Sequence, residues 1–369
     1  MRHDPLAAVS LTFRDAPSAV REKVATPFGP KVWDGLRQQG VSGLVELHTC
    51  ARSMWLVSAA HPAWAGALVQ SSVASRCGTL PRLMVGEEAF RYALRVSVGL
   101  DSFVQGEADI GAQFADAFAD ARACGRSDGV LNLVAQSGAR LVAEGRDGGF
   151  IRPNRGLGHL AVMALQRLGA DKEKAVGVVG AGAIGGRVVA SLRRAGWAEP
   201  VVYNRTPREG TRPLSEIGDH EAIVLCTAGP AGWFEPRASH RHVIDLGLPR
   251  QCSGEGVGID ALLAGDELKL GAERLARAET AVEREVSALI GRVRRARLQR
   301  GLQSVVGLKE RFVETELDAL LAPSLADLPE DQQRKVLAAA RGAVRQFGHR
   351  MVTWMREEMQ VDEGEENVA

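Results

Sequence analysis

At 369 residues the chain is long enough for two or three domains around sizeable cores. Its 45% hydrophobic and 25% charged residues are those of an ordinary soluble globular protein. Lys plus Arg total 46 against 45 acids, a net charge of +1, which excludes a chain drawn to nucleic acid by its overall field. Any RNA-binding surface must be a local patch. The five cysteines, at 50, 77, 124, 226 and 252, form no CxxC pair and no spaced ligand set, which argues against structural zinc. An odd, scattered count suits a reducing compartment. The N-terminus has no apolar signal core, and no apolar run approaches the ~18 residues of a membrane span. A cytoplasmic location is expected.

From Leu6 to Phe13 the chain is apolar-rich, and Ala19 to Val24 reads as a short helix. Next come two short β-compatible runs, Leu44 to Leu47 and Met54 to Val57, flanking the polar segment His48 to Ser53. That pattern predicts two strand segments meeting at a turn that presents the thiol of Cys50. Arg52, a permanent cation two residues on, is suited to hold a thiolate or grip a substrate carboxylate. The plainer reading is a buried, inert cysteine, since free Cys is among the most buried residue types. Glu87 to Leu94 has helical spacing, with Ala89, Tyr92, Ala93 and Val96 recurring. Gly99-Leu100-Asp101-Ser102 breaks that helix, and Asp101 or Ser102 is placed to cap the next. Ile110 to Cys124 is amphipathic, with Phe114, Ala117, Phe118 and Ala121 on one face. The polar side chains beside the break are Ser102, Gln105, Glu107, Asp109 and Gln113; they read either as a solvated turn or as part of a site.

Phe150 to Gly158, rich in Gly and Pro, reads as a hinge, and His159 to Leu168 as a helix. Then an apolar strand from Ala175 runs into Gly180-Ala181-Gly182-Ala183-Ile184-Gly185, and an amphipathic helix follows at once. This is the dinucleotide fingerprint. The first glycine makes the turn, the second lets backbone approach a pyrophosphate, and the third lets helix pack on strand. With 41 glycines in the chain, the bare spacing is expected roughly half a time by chance, so the strand–turn–helix context carries the specificity. After the next strand, Glu199 to Tyr203, an NAD-preferring site would place an acid on the ribose 2′-hydroxyl. Here Asn204-Arg205-Thr206 stands instead. A guanidinium pairs with a 2′-phosphate that an acid would repel, so NADP(H) is the expected cofactor. Ala222 to Thr227 and His242 to Gly247 continue the sheet, with Asp245 a structural candidate at its carboxyl edge, and the domain closes near Leu263.

From about Asp266 to Leu321 the pattern is one long helical stretch, with Leu275, Ala278, Val282, Val286, Leu289 and Val293 at three- and four-residue steps. Arg292, Arg294, Arg295, Arg297, Arg300, Lys309 and Arg311 form its polar face, ordinarily a solvated one and alternatively a track for an RNA backbone. Pro323 and Pro329 are expected to interrupt it. Glu330 to Met359 reads as a final helix with Val336, Val344, Phe347, Met351 and Trp354 on its apolar side. Such stripes without a sheet suggest helix–helix packing between two copies. The acidic tail from Gln360 to Ala369 is expected to be disordered.

Together these segments resemble the glutamyl-tRNA reductase family over most of the chain. Thr49-Cys50-Ala51-Arg52 is similar to the family's Thr-Cys-Asn-Arg site. Arg95 to Ser102, with Gly106-Glu107-Ala108-Asp109-Ile110 and Gln113, resembles its Arg-Val-Ala-x-Gly-Leu-Asp-Ser…Gly-Glu-Pro-Gln-Ile…Gln signature, the most specific of the matches. Gly180 to Gly185 with Asn204-Arg205-Thr206 resembles its cofactor site; Arg21 to Ala25 and Asp245 to Arg250 match lesser segments. The resemblance implies an α/β multidomain architecture: an α+β catalytic domain at 1–150, a Rossmann NADP-binding domain at 151–265, and an all-α dimerisation domain at 266–369, linked by a long spinal helix in a V-shaped homodimer. It also implies NADPH-dependent reduction of tRNA(Glu) charged with glutamate to glutamate-1-semialdehyde, the first step of tetrapyrrole (5-aminolevulinate, porphyrin) biosynthesis. Cys50 would form a thioester, which accepts hydride better than an oxoester. Arg52 would hold the side-chain carboxylate, with Thr49, Ala51, Ser102, Glu107, Ala108, Asp109 and Gln113 around the substrate. No metal is implied, and the semialdehyde aminomutase is the implied partner.

The departures are specific. Tyr92 stands where the family has an active-site His, and a phenol titrating near ~10 is a poor base at neutral pH. Ala51 replaces Asn, Met54 replaces Glu, and Ala108-Asp109 replaces Pro-Gln. Nucleophile, carboxylate grip and cofactor site are kept, so a divergent reductase is expected. The alternatives are a paralogue acting on another aminoacyl-tRNA, cued by Asp109, and a non-catalytic tRNA-binding or regulatory homologue. A plain small-molecule dehydrogenase leaves the Cys50 and Gly99 to Gln113 segments unexplained.

Overall fold

Strand β1 (Leu6–Thr12) is buried along its whole length, because the sheet it belongs to is covered by helices on both faces. The computed structural model describes residues 4–152, 155–206, 208–227, 229–263 and 269–366. Strands β2 (Val41–His48), β3 (Arg52–Ala59) and β4 (Arg82–Val85) join β1 in the order β2-β3-β1-β4, every neighbouring pair antiparallel. The period of two divides the side chains. Ala7, Val9, Leu11, Trp55 and Val57 point into one core with Trp33 and Leu36 of α2 (Pro30–Gln38) and Ala65, Val69 and Val73 of α3 (Pro62–Cys77). Ala8, Ser10, Arg52, Met54 and Leu56 alternate with them and are equally buried. On the sheet α4 (Glu87–Ser97) packs on β1, α5 (Asp109–Ala123) on β2, and α6 (Gly129–Asp147) on β2 and β3. The short helix expected from Ala19 is α1 (Ser18–Arg21) followed by a 3-10 turn, Glu22–Val24.

The second sheet is parallel throughout. Its strands are β5 (Gly177–Val179), β6 (Val201–Asn204), β7 (Arg212–Pro213), β8 (Ala222–Leu225), β9 (His242–Asp245) and β10 (Val257–Gly258), in the order β10-β9-β8-β5-β6-β7. With α7 (Leu157–Arg167) and α8 (Ala183–Arg194) this is the doubly wound arrangement, and its order reverses between β5 and β8. Ligand crevices form at that switch. Asp245 ends β9, fully buried, and accepts from the backbone N–H of Gly247 (2.9 Å), Gln251 (2.7 Å) and Cys252 (2.8 Å). Its carboxylate folds the segment after the strand back over the sheet edge.

The chain divides into two units, Met1–Ile290 and Gly291–Ala369. The long helix α9 (Ala272–Arg311) begins in the first. There Ala278, Val282, Val286 and Leu289 are buried, while Glu283 meets Arg91 of α4 (2.7 Å) and Glu285 meets Arg140 of α6 (2.9 Å). In the second unit α9 passes through a π-helical turn, Phe312–Glu316, into α10 (Leu317–Leu325), and α11 (Glu330–Glu366) follows. Pro323 does not interrupt the helix: it lies inside α10, where it gives up its own backbone hydrogen bond. Pro329 does stand at the break. The tail from Gln360 is helical as far as Glu366, since extending an existing helix costs far less than starting one; residues 367–369 lie outside the described residues. So does the expected boundary at 265 and 266. No described helix is long and apolar enough to cross a membrane.

Candidate active site

β2 ends at His48 and β3 begins at Arg52, which leaves Thr49, Cys50 and Ala51 as the residues between the two strands, with His48 paired to Ser53. Thr49 closes it. Its N–H donates to the Arg52 carbonyl (2.8 Å), and its Oγ1 accepts from the N–H of Ala51 and of Arg52 (3.2 Å each). Cys50 therefore sits half-buried at the tip of a turn whose amides are already satisfied. Its carbonyl accepts from Nη1 of Arg21, a buried side chain whose Nε donates to the Ala16 carbonyl (3.2 Å). Burial, and then the charge of Glu107, push the Cys50 thiol up to about 12, while Arg21 and Arg52 pull it down.

Arg52 opens β3 on the face turned to α4, opposite Thr12 and two pairs along from Ser10 on the same face. It has no exposed surface. Nη1 donates to the Tyr92 hydroxyl (3.3 Å) and Nη2 to the Asp101 carbonyl, while Nε is buried without a partner. The Tyr92 hydroxyl also shares a 2.6 Å hydrogen bond with Ser10 Oγ. Tyr92 is thus committed to the sheet and to Arg52.

The middle segment is pinned by glycines. Gly99 and Gly106 both have φ of +73°, and a Cβ on Gly106 would lie 2.3 Å from the Phe150 carbonyl oxygen. Between them the chain doubles back, Gly106 N–H donating to Gly99 O (3.0 Å), and delivers Glu107 beside Ser102, which is buried. Burial raises the Glu107 carboxyl to about 7, helped by Asp109 and opposed by Ser102, Arg52 and Arg187. Cys50, Arg52, Ser102 and Glu107 thus act on one another within one small site. Asp109 is drawn elsewhere. Its carboxylate meets Arg187 of α8 at 3.1 Å, and with Ala108 it lines a cavity of about 260 Å³ that also touches Gly156, His159 and Arg187. Burial raises its pKa and Arg187 lowers it. Ala51 is buried in the turn, and Gln113 lies half-buried on the second turn of α5.

At the switch of the second sheet lies a cleft of about 500 Å³. It is lined by Gly180, Ala181, Gly182, Asn204, Arg205 and Thr206. Gly180 has φ of +110°, and a Cβ on Gly185 would come within 1.8 Å of the Gly180 carbonyl oxygen. Gly182, the N-cap of α8, has open space where a Cβ would be. Ala183, Ile184 and Gly185 form the first helical turn, whose N–H groups have no intrahelical acceptor. This cradle fits a dinucleotide pyrophosphate. Asn204 Nδ2 donates to the Thr206 carbonyl (2.7 Å), shaping the loop that presents Arg205.

Several residues of the site carried no sequence signal. Arg208, Thr227 and Trp233 also line the cleft. Gln251 Oε1 accepts from Thr227 Oγ1 (2.5 Å) and from Trp233 Nε1. Arg187 lies two residues beyond the fingerprint, and Arg21 and Asp260 meet across 239 positions.

Cys124 is the exposed thiol, whereas Cys77, Cys226 and Cys252 are buried. In Cys124→Ser protein, alkylation by iodoacetamide should therefore report Cys50, its rate rising about tenfold per pH unit from 7 to 10. Glu107→Gln removes the charge that raises the thiol and should speed the reaction at pH 8 by roughly three- to tenfold. An unchanged rate would mean that the carboxylate does not act on the sulfur.

A family model, the N-terminal domain of glutamyl-tRNAGlu reductase, matches residues 9–145. Glutamyl-tRNA reductase 1 of Pyrobaculum calidifontis is 32% identical over 274 residues, 68% of this chain and 67% of that protein. Glutamyl-tRNA reductase 1 of Pyrobaculum arsenaticum is 30% identical over 307 residues, covering 77% of each. The Desulforudis audaxviator glutamyl-tRNA reductase is 27% identical over 414 residues, 97% of this chain and 91% of its own. Among solved structures, glutamyl-tRNA reductase from Methanopyrus kandleri shares the fold, with a TM-score of 0.54 and 23% identity over 97% of this chain and all of that one. The chain belongs to the glutamyl-tRNA reductase family.

Proposed function

We propose that the protein reduces the glutamyl group of glutamyl-tRNA(Glu) to glutamate-1-semialdehyde through a thioester on Cys50, the opening step of tetrapyrrole biosynthesis. It is then an aldehyde-forming oxidoreductase dependent on a nicotinamide cofactor, with NADPH preferred. The observation that carries this reading is the pairing of a half-buried thiol with a fully buried guanidinium whose Nε has no partner. A carboxylate is the ligand that such an orphaned cation selects.

In this reading Arg52 takes the side-chain carboxylate of the glutamyl group, and Tyr92 positions Arg52. Glu107, titrating near neutrality, accepts the Cys50 proton as the sulfur attacks the ester carbonyl. The S–C bond forms and the C–O bond to the tRNA ribose breaks. Glu107 returns the proton to the leaving oxygen. Gly180, Gly182 and Arg205 would hold the dinucleotide, which when bound would supply a hydride to the thioester carbonyl. The C–S bond then breaks, the aldehyde departs, and Cys50 leaves as a thiolate. Asp109 supports the glutamyl reading over another amino acid, because its pairing with Arg187 removes the negative charge it would have added to the pocket. Thr49 holds the turn, and Ser102 and Gln113 complete the wall on the α5 side.

We place the catalytic domain at 1–150, the cofactor domain at 151–265 and a dimerisation domain at 266–369. Leu320, Phe347 and Trp354 are 65%, 69% and 60% exposed, an apolar surface that a second copy would cover. Light scattering should then give twice the 39.5 kDa chain mass. All five cysteines are free, which suits a reducing cytoplasm. The semialdehyde aminomutase is the proposed recipient of the reactive aldehyde, a pairing that co-elution of the two purified proteins tests.

Labelled glutamyl-tRNA should give a covalent acyl-enzyme that Cys50→Ser loses, and aldehyde once NADPH is added. No acyl-enzyme from the unmodified protein, or aldehyde from a different charged tRNA, would overturn the assignment. Arg205→Ala with Arg208→Ala should raise KM for NADPH by about tenfold or more while leaving NADH little changed, as expected from losing charge-assisted bonds to a 2′-phosphate. Equal losses with both cofactors would remove the preference.

A further inference from the structure

Arg21 is buried, yet all three of its donor positions are spent on other parts of the chain. Nε holds the Ala16 carbonyl, Nη1 holds the carbonyl of Cys50 itself, and Nη2 reaches Asp260 Oδ1 at 3.3 Å. Asp260 lies in the 3-10 turn Ile259–Leu263, directly after β10 of the parallel sheet. Its other oxygen, Oδ2, accepts from Ser18 Oγ (2.8 Å) and Ser18 N–H (3.3 Å) at the start of α1. The carboxylate is therefore a three-point junction between the two sheets, and it is half exposed, 47% at the side chain.

The connection continues on the other side. Gly258 of β10 pairs with Asp245 of β9, the carboxylate of Asp245 holds the N–H of Gln251, and Gln251 Oε1 holds Thr227 and Trp233 in the dinucleotide cleft. A chain of bonds thus runs from the backbone of the nucleophile to the wall of the cofactor crevice. A purely structural salt bridge has no need to grip the one carbonyl that carries the reacting thiol. Charge makes the grip double: the guanidinium that orients the Cys50 turn is also a cation close to its sulfur.

We infer that Arg21 and Asp260 are positioning residues that keep the Cys50 turn in register with the cofactor crevice for hydride transfer. This rests on the thioester reading above. Acyl transfer from tRNA needs only the catalytic half of the site, whereas reduction needs the thioester and the crevice held to a fraction of an ångström. The link between them should matter in the second step alone.

Single-turnover measurements on the full-length protein separate the two steps. Labelled glutamyl-tRNA is mixed first without NADPH, to follow acyl-enzyme formation, and NADPH is then added to follow aldehyde. For Asp260→Ala, acylation should stay within about twofold of the parent, while aldehyde formation slows on the order of ten- to a hundredfold and acyl-enzyme accumulates. Asp260→Asn keeps an oxygen for Arg21 and should recover most of the reduction rate. The inference is overturned if Asp260→Ala reduces its thioester at the parental rate, or if both steps fall in parallel, as mere loss of structure would give. Absence of acyl-enzyme in the parent protein marks instead the failure of the thioester reading itself, and the inference falls with it.

Discussion

A guanidinium with no solvent-exposed surface stands at the foot of β3, and the elements around the antiparallel sheet are arranged so that it can remain charged there. Burying an ion costs several kcal/mol unless its donors find partners. Three separate pieces of chain answer that demand for Arg52. The helix after β4 brings the Tyr92 hydroxyl, itself braced by Ser10 on the central strand. The Gly99–Gly106 loop brings the Asp101 carbonyl, and the same loop delivers the Glu107 carboxyl. The strand register, the two positive-φ glycines and the placement of α4 are therefore parts of one solution. What is left unanswered is Nε, the nitrogen that the proposed function assigns to a substrate carboxylate.

Tyr92, where the resemblance leads one to expect a histidine, becomes intelligible in the same terms. Its hydroxyl is bonded to Ser10 and Arg52. In the proposed mechanism proton transfer therefore falls to Glu107, whose carboxyl burial has moved up toward neutrality. Glu107 and Cys50 repel each other's charges, so the pair holds one proton more readily than none. In the proposed mechanism such a pair would keep the thiol protonated until a substrate carbonyl arrives to accept the sulfur's electrons.

Much of this was legible in the sequence because its causes are local. A polar interruption between two apolar runs predicts a hairpin, and Cys50 is at its tip. Glycine spacing after an apolar strand predicts the cradle at Gly180 to Gly185, and a helix begins at Ala183 as expected. Apolar residues at three- and four-residue steps predict α9, although Pro323, expected to interrupt the stretch, lies inside α10. What could not be read were meetings between distant segments. Nothing near Asp109 announces Arg187, so the sequence shows the added acid but not the α8 guanidinium that pairs with it. Arg21 was visible only as part of a resembling segment; its partners, Cys50 and Asp260, have no periodic relation to it.

Gln251 draws out a consequence of such remote packing. Its oxygen takes two donors, from Thr227 and Trp233, while its nitrogen gives both protons away, to the carbonyls of Gly229 and Pro249. The amide thus has one permissible orientation and no spare valence. Swapping that nitrogen for a second oxygen, the smallest isosteric step a codon can take here, would set a negative charge against two carbonyl dipoles in a place water does not reach. Evolutionary drift at this position should be confined far more tightly than at the solvent-facing arginines that greet the ligand, although no atom of Gln251 need ever touch it.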